Sequence, residues 1–321
     1  MSAGNEIFGH PKGLFILFFT EMWERFSYYG MRALLVYFMV KHLLFTQADA
    51  SKIYGLYTGF VYFTPFWGGI IADRYWGQRK SVIVGGVLMA IGHFVMAFDS
   101  LFFWALGLIA IGNGAFKPNI STQVGNLYPA GDDRRDRAFN IFYVGINLGA
   151  FLAPLVCGTV GELCGWHYGF GLAGVGMLVG LGLYISGQKY LAPDNLMTLK
   201  GKPAASNQAA VVTPEEKCRL MVLIVMCIFN IAFWMTFEQM GNTFALWADE
   251  DTDRHIGGWE VPASWFQSLN PFFIFALTPL VTSFWSRQAA RKTEMGSITK
   301  MGWGCILLGG AFLIMIPAAA Q

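Results

Sequence analysis

Within the first apolar stretch, Gly13 to Val40, the residues able to do chemistry are Glu21, Glu24, Arg25, Tyr28 and Arg32. Their offsets of 0, +3, +4, +7 and +11 place them on one face of an α-helix. Around that face the stretch is Leu, Phe, Ile, Val and Met, long enough to cross a bilayer. A charge at the bilayer centre costs about 2.5–3.5 kcal/mol on insertion scales. Four such groups on one span therefore predict pairing and a wet interior, the mark of an ion or substrate pathway. A carboxylate beside a cation in low dielectric is also a proton switch. Protonation removes its charge, frees the cation and alters helix contacts.

The elements that must position this face are membrane spans. The chain has 321 residues, 55% hydrophobic and 13% charged, a membrane composition. Nine apolar segments are predicted: 13–40, 51–73, 81–99, 101–127, 138–161, 167–187, 219–247, 263–286 and 297–317. Pro65, Pro118, Pro154, Pro271 and Pro279 fall inside them, tolerable where neighbours satisfy the freed backbone groups. Gly145 and Gly149 have the spacing of a close helix contact. One set of loops holds most of the basic residues, including Arg74, Arg79 and Lys80, then Arg134, Arg135 and Arg137. The opposite side has only Lys41, Lys52 and Arg254, which predicts a cytoplasmic N-terminus. No cleavable signal peptide is expected, because the first hydrophobic stretch is a full span. The five cysteines lack metal spacing and read as small buried hydrophobes. The histidines form no ligand cluster in sequence, so no metal site is expected. GKPAASNQAA, within a weakly apolar stretch, has a linker's composition. Thr213, Pro214 and Glu216 then read as N-cap, N1 proline and capping-box partner.

Four strings carry a family resemblance. In GIIADRYWGQRK, Gly69, Asp73, Arg74, Gly77 and Arg79 satisfy GxxxDRxxGxR, which resembles the loop signature of the major facilitator superfamily. Such a basic turn can pair with an acidic helix end, an interaction that would hold an inner gate shut in one state; its plainer reading is an ordinary positive-inside turn. EMWERF (Glu21 to Phe26), FKPN (Phe116 to Asn119) and FYVGINLGA (Phe142 to Ala150) lie in three separate spans. Together they resemble the proton-dependent oligopeptide transporter family, from about Phe8 to the chain end.

The resemblance implies an all-α membrane protein of the major facilitator fold, two six-helix bundles in the intact family with nine spans visible here. The parts would be an N-terminal bundle at 1–190, a cytoplasmic linker at 191–218 and a partial second bundle at 219–321. Their work would be proton-coupled import of di- and tripeptides by alternating access, with the proton as coupling ion, no other cofactor, no nucleic acid and no enzyme activity. The carrier would act as a monomer in the lipid bilayer of a bacterial cytoplasmic membrane. Arg25 and Lys117 would hold the peptide carboxylate, and Asn147 and Asn270 would bind near its amine. Tyr28, Tyr29, Tyr57 and Trp234 would line the pocket. Glu21, Glu24 and Glu238 would couple protons, and Arg32 with Glu238 would form an outer gate opposite the inner gate at Asp73, Arg74 and Arg79.

Residue chemistry supports these roles independently. A short peptide is zwitterionic, so its site needs cations at one end; Arg25 can grip a carboxylate bidentately while Lys117 acts as a point charge. Aromatic walls suit variable side chains. Structural readings compete: Glu21 and Glu24 as mere partners of Arg25, the tyrosines and Trp234 as packing, Asn147 as interhelical glue. Asp249, Glu250, Asp251 and Asp253 read as a simple acidic outer loop. The family resembles twelve-span carriers, so nine spans lead us to expect an incomplete chain. No histidine replaces the one animal relatives carry in span two, where Gly55 stands, leaving carboxylates as proton carriers. Rival functions are the same fold moving another anion, or a channel or membrane receptor. A nucleotide-driven pump is disfavoured because no GxxxxGK[ST] loop exists.

Overall fold

Long apolar stretches separated by short charged turns fold into helices throughout the computed structural model, which describes residues 6–194 and 213–319. The centre of the expected linker, 201–210, lies outside the described residues. A short antiparallel ladder, β1 (Glu6–Ile7) with β2 (His10–Pro11), leads into α1 (Lys12–Tyr37), which continues as a π-helical turn, Phe38–His42. Next come α2 (Gln47–Ile71), closed by the turn Ala72–Trp76, then α3 (Gln78–Val95) and α4 (Phe102–Asn126). The fifth run is broken: α5 (Arg134–Ala153), a π-helical turn at Pro154–Gly158 and α6 (Thr159–Cys164), before α7 (Trp166–Gly187). Pro154 has no amide hydrogen to continue α5, which explains the break. After residue 213 run α8 (Pro214–Phe237), α9 (Thr243–Glu250), a second ladder (β3 His255–Ile256, β4 Trp259–Glu260), α10 (Phe266–Ala290) and α11 (Ser297–Ala319).

These helices occupy the nine expected spans. Six of them, among the described residues, are long and apolar enough to cross a membrane on composition alone. The first three are not, and α1 falls short because it carries the charged stripe.

The chain divides into two compact units: Met1–Pro203 with Gly241–Phe275, and Ala204–Met240 with Ala276–Gln321. In the first, α1 packs on α5 and α7, α2 on α4, and α3 on α4 and α7. The core is apolar and centred on α1, where Leu14, Leu17, Met31 and Leu34 are fully buried. Gly149 makes the α1–α5 crossing possible. A Cβ there would sit 2.2 Å from the Met22 carbonyl oxygen and 2.9 Å from Arg25 Cβ. Gly145, one turn earlier, meets Phe18 in the same way, so the close contact expected from the spacing is made with α1.

The segment Gly241–Phe275, late in sequence, packs within this first unit. Tyr37 donates to the carbonyl of Ala245 at 3.0 Å, and the Glu162 carboxylate accepts from the backbone N–H groups of Ala263 and Ser264 at 3.0 and 2.9 Å. Asp249 is more than a loop charge. Its side chain is buried and pairs with Lys41 at 2.6 Å and Arg254 at 3.1 Å.

In the second unit, α8 opens with the expected capping box, in which Thr213 and Glu216 bond each other's backbone N–H. No residue of α8 or α11 is buried. Their exposed faces are Leu, Ile, Val, Met and Phe, as suits a segment whose solvent is lipid. The cysteines differ from expectation: Cys157 is buried, while Cys164, Cys218, Cys227 and Cys305 are exposed. A thiol in an apolar run need not face the core when the surrounding medium is itself apolar.

Candidate functional site

The charged stripe of α1 faces the interior of the first unit. Glu21 and Glu24 are fully buried, and Arg25 and Arg32 nearly so. The 3.6-residue period turns all of them to the same side, and the close approach at Gly149 presses that side against its neighbours. Arg25 pairs with both carboxylates. It donates to Glu24 through Nε and, at 2.9 Å, through Nη2, while Glu21 Oε1 lies 3.2 Å from its Nε. From α4, Lys117 Nζ donates to Glu21 Oε1 at 2.8 Å and Asn113 Nδ2 to Glu24 Oε1 at 3.1 Å. Two buried carboxylates thus meet a buried guanidinium and a partly exposed ammonium in one network. Glu21 Oε2 is buried with no hydrogen-bond partner among the described residues.

Aromatic rings wall this network. The Arg25 guanidinium lies 5.4 Å from the Tyr28 ring centroid and 5.9 Å from that of Tyr29. Two turns on from Arg25, Arg32 sits 5.6 Å from the rings of Tyr29 and Tyr54, and its Nε donates to the Tyr54 hydroxyl at 2.8 Å. Tyr57 is buried on α2, and its hydroxyl has no hydrogen-bond partner among the described residues. The arrangement can therefore hold an anion against Arg25 and Lys117, exchange a proton at Glu21 or Glu24, and stack an extended chain on tyrosine faces.

Other sequence candidates stand elsewhere. Asn147 is buried, and its amide donates to its own helix at the Tyr143 carbonyl, 2.9 Å away. Asn270 is half-buried on α10 in the first unit. Trp234 and Glu238 belong to the second unit. In the signature loop, Asp73 and Arg74 are exposed, whereas Arg79 is tied down. Its Nη2 donates to the carbonyls of Leu191 and Ala192, both at 2.7 Å. The Asp194 carboxylate accepts from the backbone of Gln78 at 2.8 Å and of Arg79 at 3.3 Å. Gly77 makes this possible with a φ of 80°, and a Cβ there would lie 2.5 Å from Asp194 Oδ2.

Three partners escape sequence reasoning. Asn113 precedes Lys117 by one helical turn and Tyr54 precedes Tyr57 by three residues, so both share a face with a residue already singled out. For Asp194 no local signal exists.

Near the N-terminus, Arg134 chelates Asp132 and reaches Glu6 at 3.1 Å and the Gly9 carbonyl at 3.0 Å. The Arg134 hydrogen bonds hold the Asp132 carboxyl down at about 2. His10 Nδ1 lies 2.7 Å from the Tyr128 hydroxyl, and burial, then the positive charges of Arg134 and Arg137, lower its pKa.

Known proteins share this chain's pattern. The model of the POT family matches residues 79–198 and 191–321. An uncharacterized transporter of Bacillus subtilis (strain 168) is 36% identical, over 98% of this chain and 75% of its own length. A peptide transporter of Yersinia enterocolitica is 35% identical, over 99% of this chain and 75% of its own. Among solved structures, a peptide transporter POT in complex with sulfate is similar at a TM-score of 0.81 and 35% identity, covering 98% of this chain and 76% of that one. A POT family transporter in complex with 5-aminolevulinic acid is similar at a TM-score of 0.85 and 29% identity, covering 97% and 77%. A family match over most of the chain, joined to relatives 36% and 35% identical along nearly its whole length, identifies this protein as a member of the POT family.

Proposed function

We propose that this chain carries di- and tripeptides together with protons across the cytoplasmic membrane by alternating access. One observation carries the reading: the ion-pair network of Glu21, Glu24, Arg25 and Lys117. Its formal charges balance, two negative against two positive. A proton taken by either carboxylate leaves a cation in excess, and a peptide carboxylate restores neutrality. Proton and peptide thus each make the other's entry favourable, which is the thermodynamic content of symport. The aromatic walls add contact area without demanding a particular side chain. The peptide transporter of Yersinia enterocolitica supports the substrate class.

Several assignments rest on sequence and resemblance. Asn147 and Asn270 are proposed near the peptide amine, Trp234 in the pocket wall, and Glu238 in proton coupling. A gate role for Arg32 with Glu238 belongs here too, as do the 1–190 bundle, its 191–218 linker and the second-bundle segment at 219–321. The positive-inside pattern supports a cytoplasmic N-terminus, and a monomeric carrier is the simplest assembly.

A second reading has a specific observation in its favour. The 5-aminolevulinic acid complex of one relative joins an amine and a carboxylate without a peptide bond, so the same network suits other zwitterions. Reconstitution in liposomes with labelled dialanine, with and without an inward proton gradient, tests both. Gradient-dependent accumulation competed by unlabelled tripeptide supports peptide symport. Uptake indifferent to the gradient removes the coupling role. No dialanine uptake by folded protein that still accumulates 5-aminolevulinic acid establishes the second reading.

A further inference from the structure

Three ligand-type side chains gather at the end of the first unit opposite the basic turns, on residues the transport reading does not use. His42 closes the turn after α1, Asp99 opens the turn before α4, and His167 is the second residue of α7. Far apart in sequence, they meet in space. His42 Nε2 lies 3.0 Å from Asp99 Oδ2, and His167 Nε2 lies 3.6 Å from Asp99 Oδ1. All three ligand atoms fall within 4.8 Å of one another.

The rings are held in place. Phe38 stacks on His42 with centroids 4.9 Å apart and meets His167 edge-on at 5.8 Å. The two imidazoles touch edge-to-face at 5.3 Å. His167 Nδ1 lies 3.3 Å from the Met96 carbonyl oxygen. A carbonyl only accepts, so Nδ1 carries a hydrogen, and in the neutral ring Nε2 presents a lone pair. That lone pair faces a carboxylate oxygen, acceptor against acceptor, an arrangement that either a proton on Nε2 or a metal cation between them relieves. A backbone carbonyl on the far nitrogen is also how proteins orient a metal-ligating histidine.

We propose that His42, Asp99 and His167 form a site for a divalent transition-metal ion of the zinc type, which ties together the ends of α1, α4 and α7. Two imidazoles and one carboxylate are the donor set of a three-ligand zinc site whose fourth position takes water. Magnesium and calcium prefer all-oxygen shells. Around tetrahedral zinc, ligand atoms stand about 3.4 Å apart, given bonds near 2.1 Å. The two histidine–carboxylate separations, one to each oxygen of Asp99, lie near that value, and with one donor atom per residue already within 4.8 Å of the others a small rotation of the part-exposed His167 completes the set. Because the ligands come from three separate connections, a bound ion stabilises the folded arrangement of those helix ends.

The test is calorimetric titration of zinc chloride into the chelator-treated intact protein in detergent, with cobalt(II) absorption reporting the ligand set. Expected are one ion per chain, a visible cobalt band without thiolate charge transfer, and a higher melting temperature with zinc but not magnesium. His42→Ala and His167→Ala each weaken binding beyond the roughly 10–100-fold that loss of an outer partner costs, while His255→Ala leaves it unchanged. If an alanine variant fails to elute as a single species, Asp99→Asn, which removes the charge but keeps the shape, serves instead. No stoichiometric binding, binding unaffected by these ligand changes, or a cobalt–thiolate band from the cysteines overturns the proposal.

Discussion

Arg25 is the residue on which the buried network turns, because it touches both carboxylates and two tyrosine rings at once. Its planar fork matches a carboxylate, so Arg25→Lys preserves charge but loses bidentate contact. Dipeptide affinity in that variant should fall about tenfold to a hundredfold, the worth of a charge-assisted hydrogen bond; equilibrium binding to protein in detergent reads it directly. Glu24 differs in kind. Its Oε1 is shared by Arg25 and Asn113, so it can give up its charge while remaining hydrogen-bonded. Glu24→Gln should abolish gradient-driven accumulation yet leave counterflow exchange intact. Accumulation by this variant, driven by an imposed proton gradient, would refute the role of Glu24.

Helix packing holds those side chains in reach. The α1–α5 crossing admits no Cβ at Gly149, and Gly149→Ala should destabilise the protein by about 1–3 kcal/mol, as overpacking does. Gly171 on α7 has nothing within 4 Å of such a Cβ, so Gly171→Ala is the matched control. That change should be neutral or stabilising, through the helix propensity of alanine, by about 0.5–1 kcal/mol. Thermal melts of the two variants decide the matter. The β1–β2 ladder makes a pH prediction. His10 is held below its ordinary value of 6.5 chiefly by burial, so folding favours its neutral form. Protonation then favours the undocked state: docking is at full strength above 6.5 and weakens as pH falls through that value and toward the lowered one. Hydrogen exchange over residues 6–11 should therefore accelerate between about pH 7.5 and 5.5 after correction for intrinsic rates. The His10→Gln protein should lose that dependence.

At the scale of the whole molecule, transport asks opposite charges in sequence-distant parts to act together. The gate role of Arg32 and Glu238 predicts that each single reversal, Arg32→Glu or Glu238→Arg, abolishes uptake, whereas the double reversal restores part of it. Restoration failing with both singles folded would leave the two charges with separate tasks. The signature loop also behaves as part of a larger object. Its Arg79 and the backbone beside it are clamped by the segment 191–194, so Asp194→Ala should slow uptake without changing peptide affinity at equilibrium.

The charged stripe, the nine spans, the capping box at Thr213 and the family motifs were all determined by the sequence alone. Each depends on periodicity or on neighbours within a few residues, and such patterns survive without tertiary information. Sequence likewise showed that Glu21, Glu24 and Arg25 share a face. It did not show that Lys117 takes Glu21 while Asn113 takes Glu24, nor that Tyr54 holds Arg32 or Asp194 caps the signature loop. Asp249, legible only as a loop acid, proved to be a buried partner of Lys41 and Arg254. The same holds for His42, Asp99 and His167, which have no ligand spacing and meet only because three connections end at one place. Periodicity states which side of a helix turns inward. The partner waiting there depends on how far each helix slides and rotates against the next, and that register is decided by close approaches such as the one at Gly149, which exist only once the chain has packed.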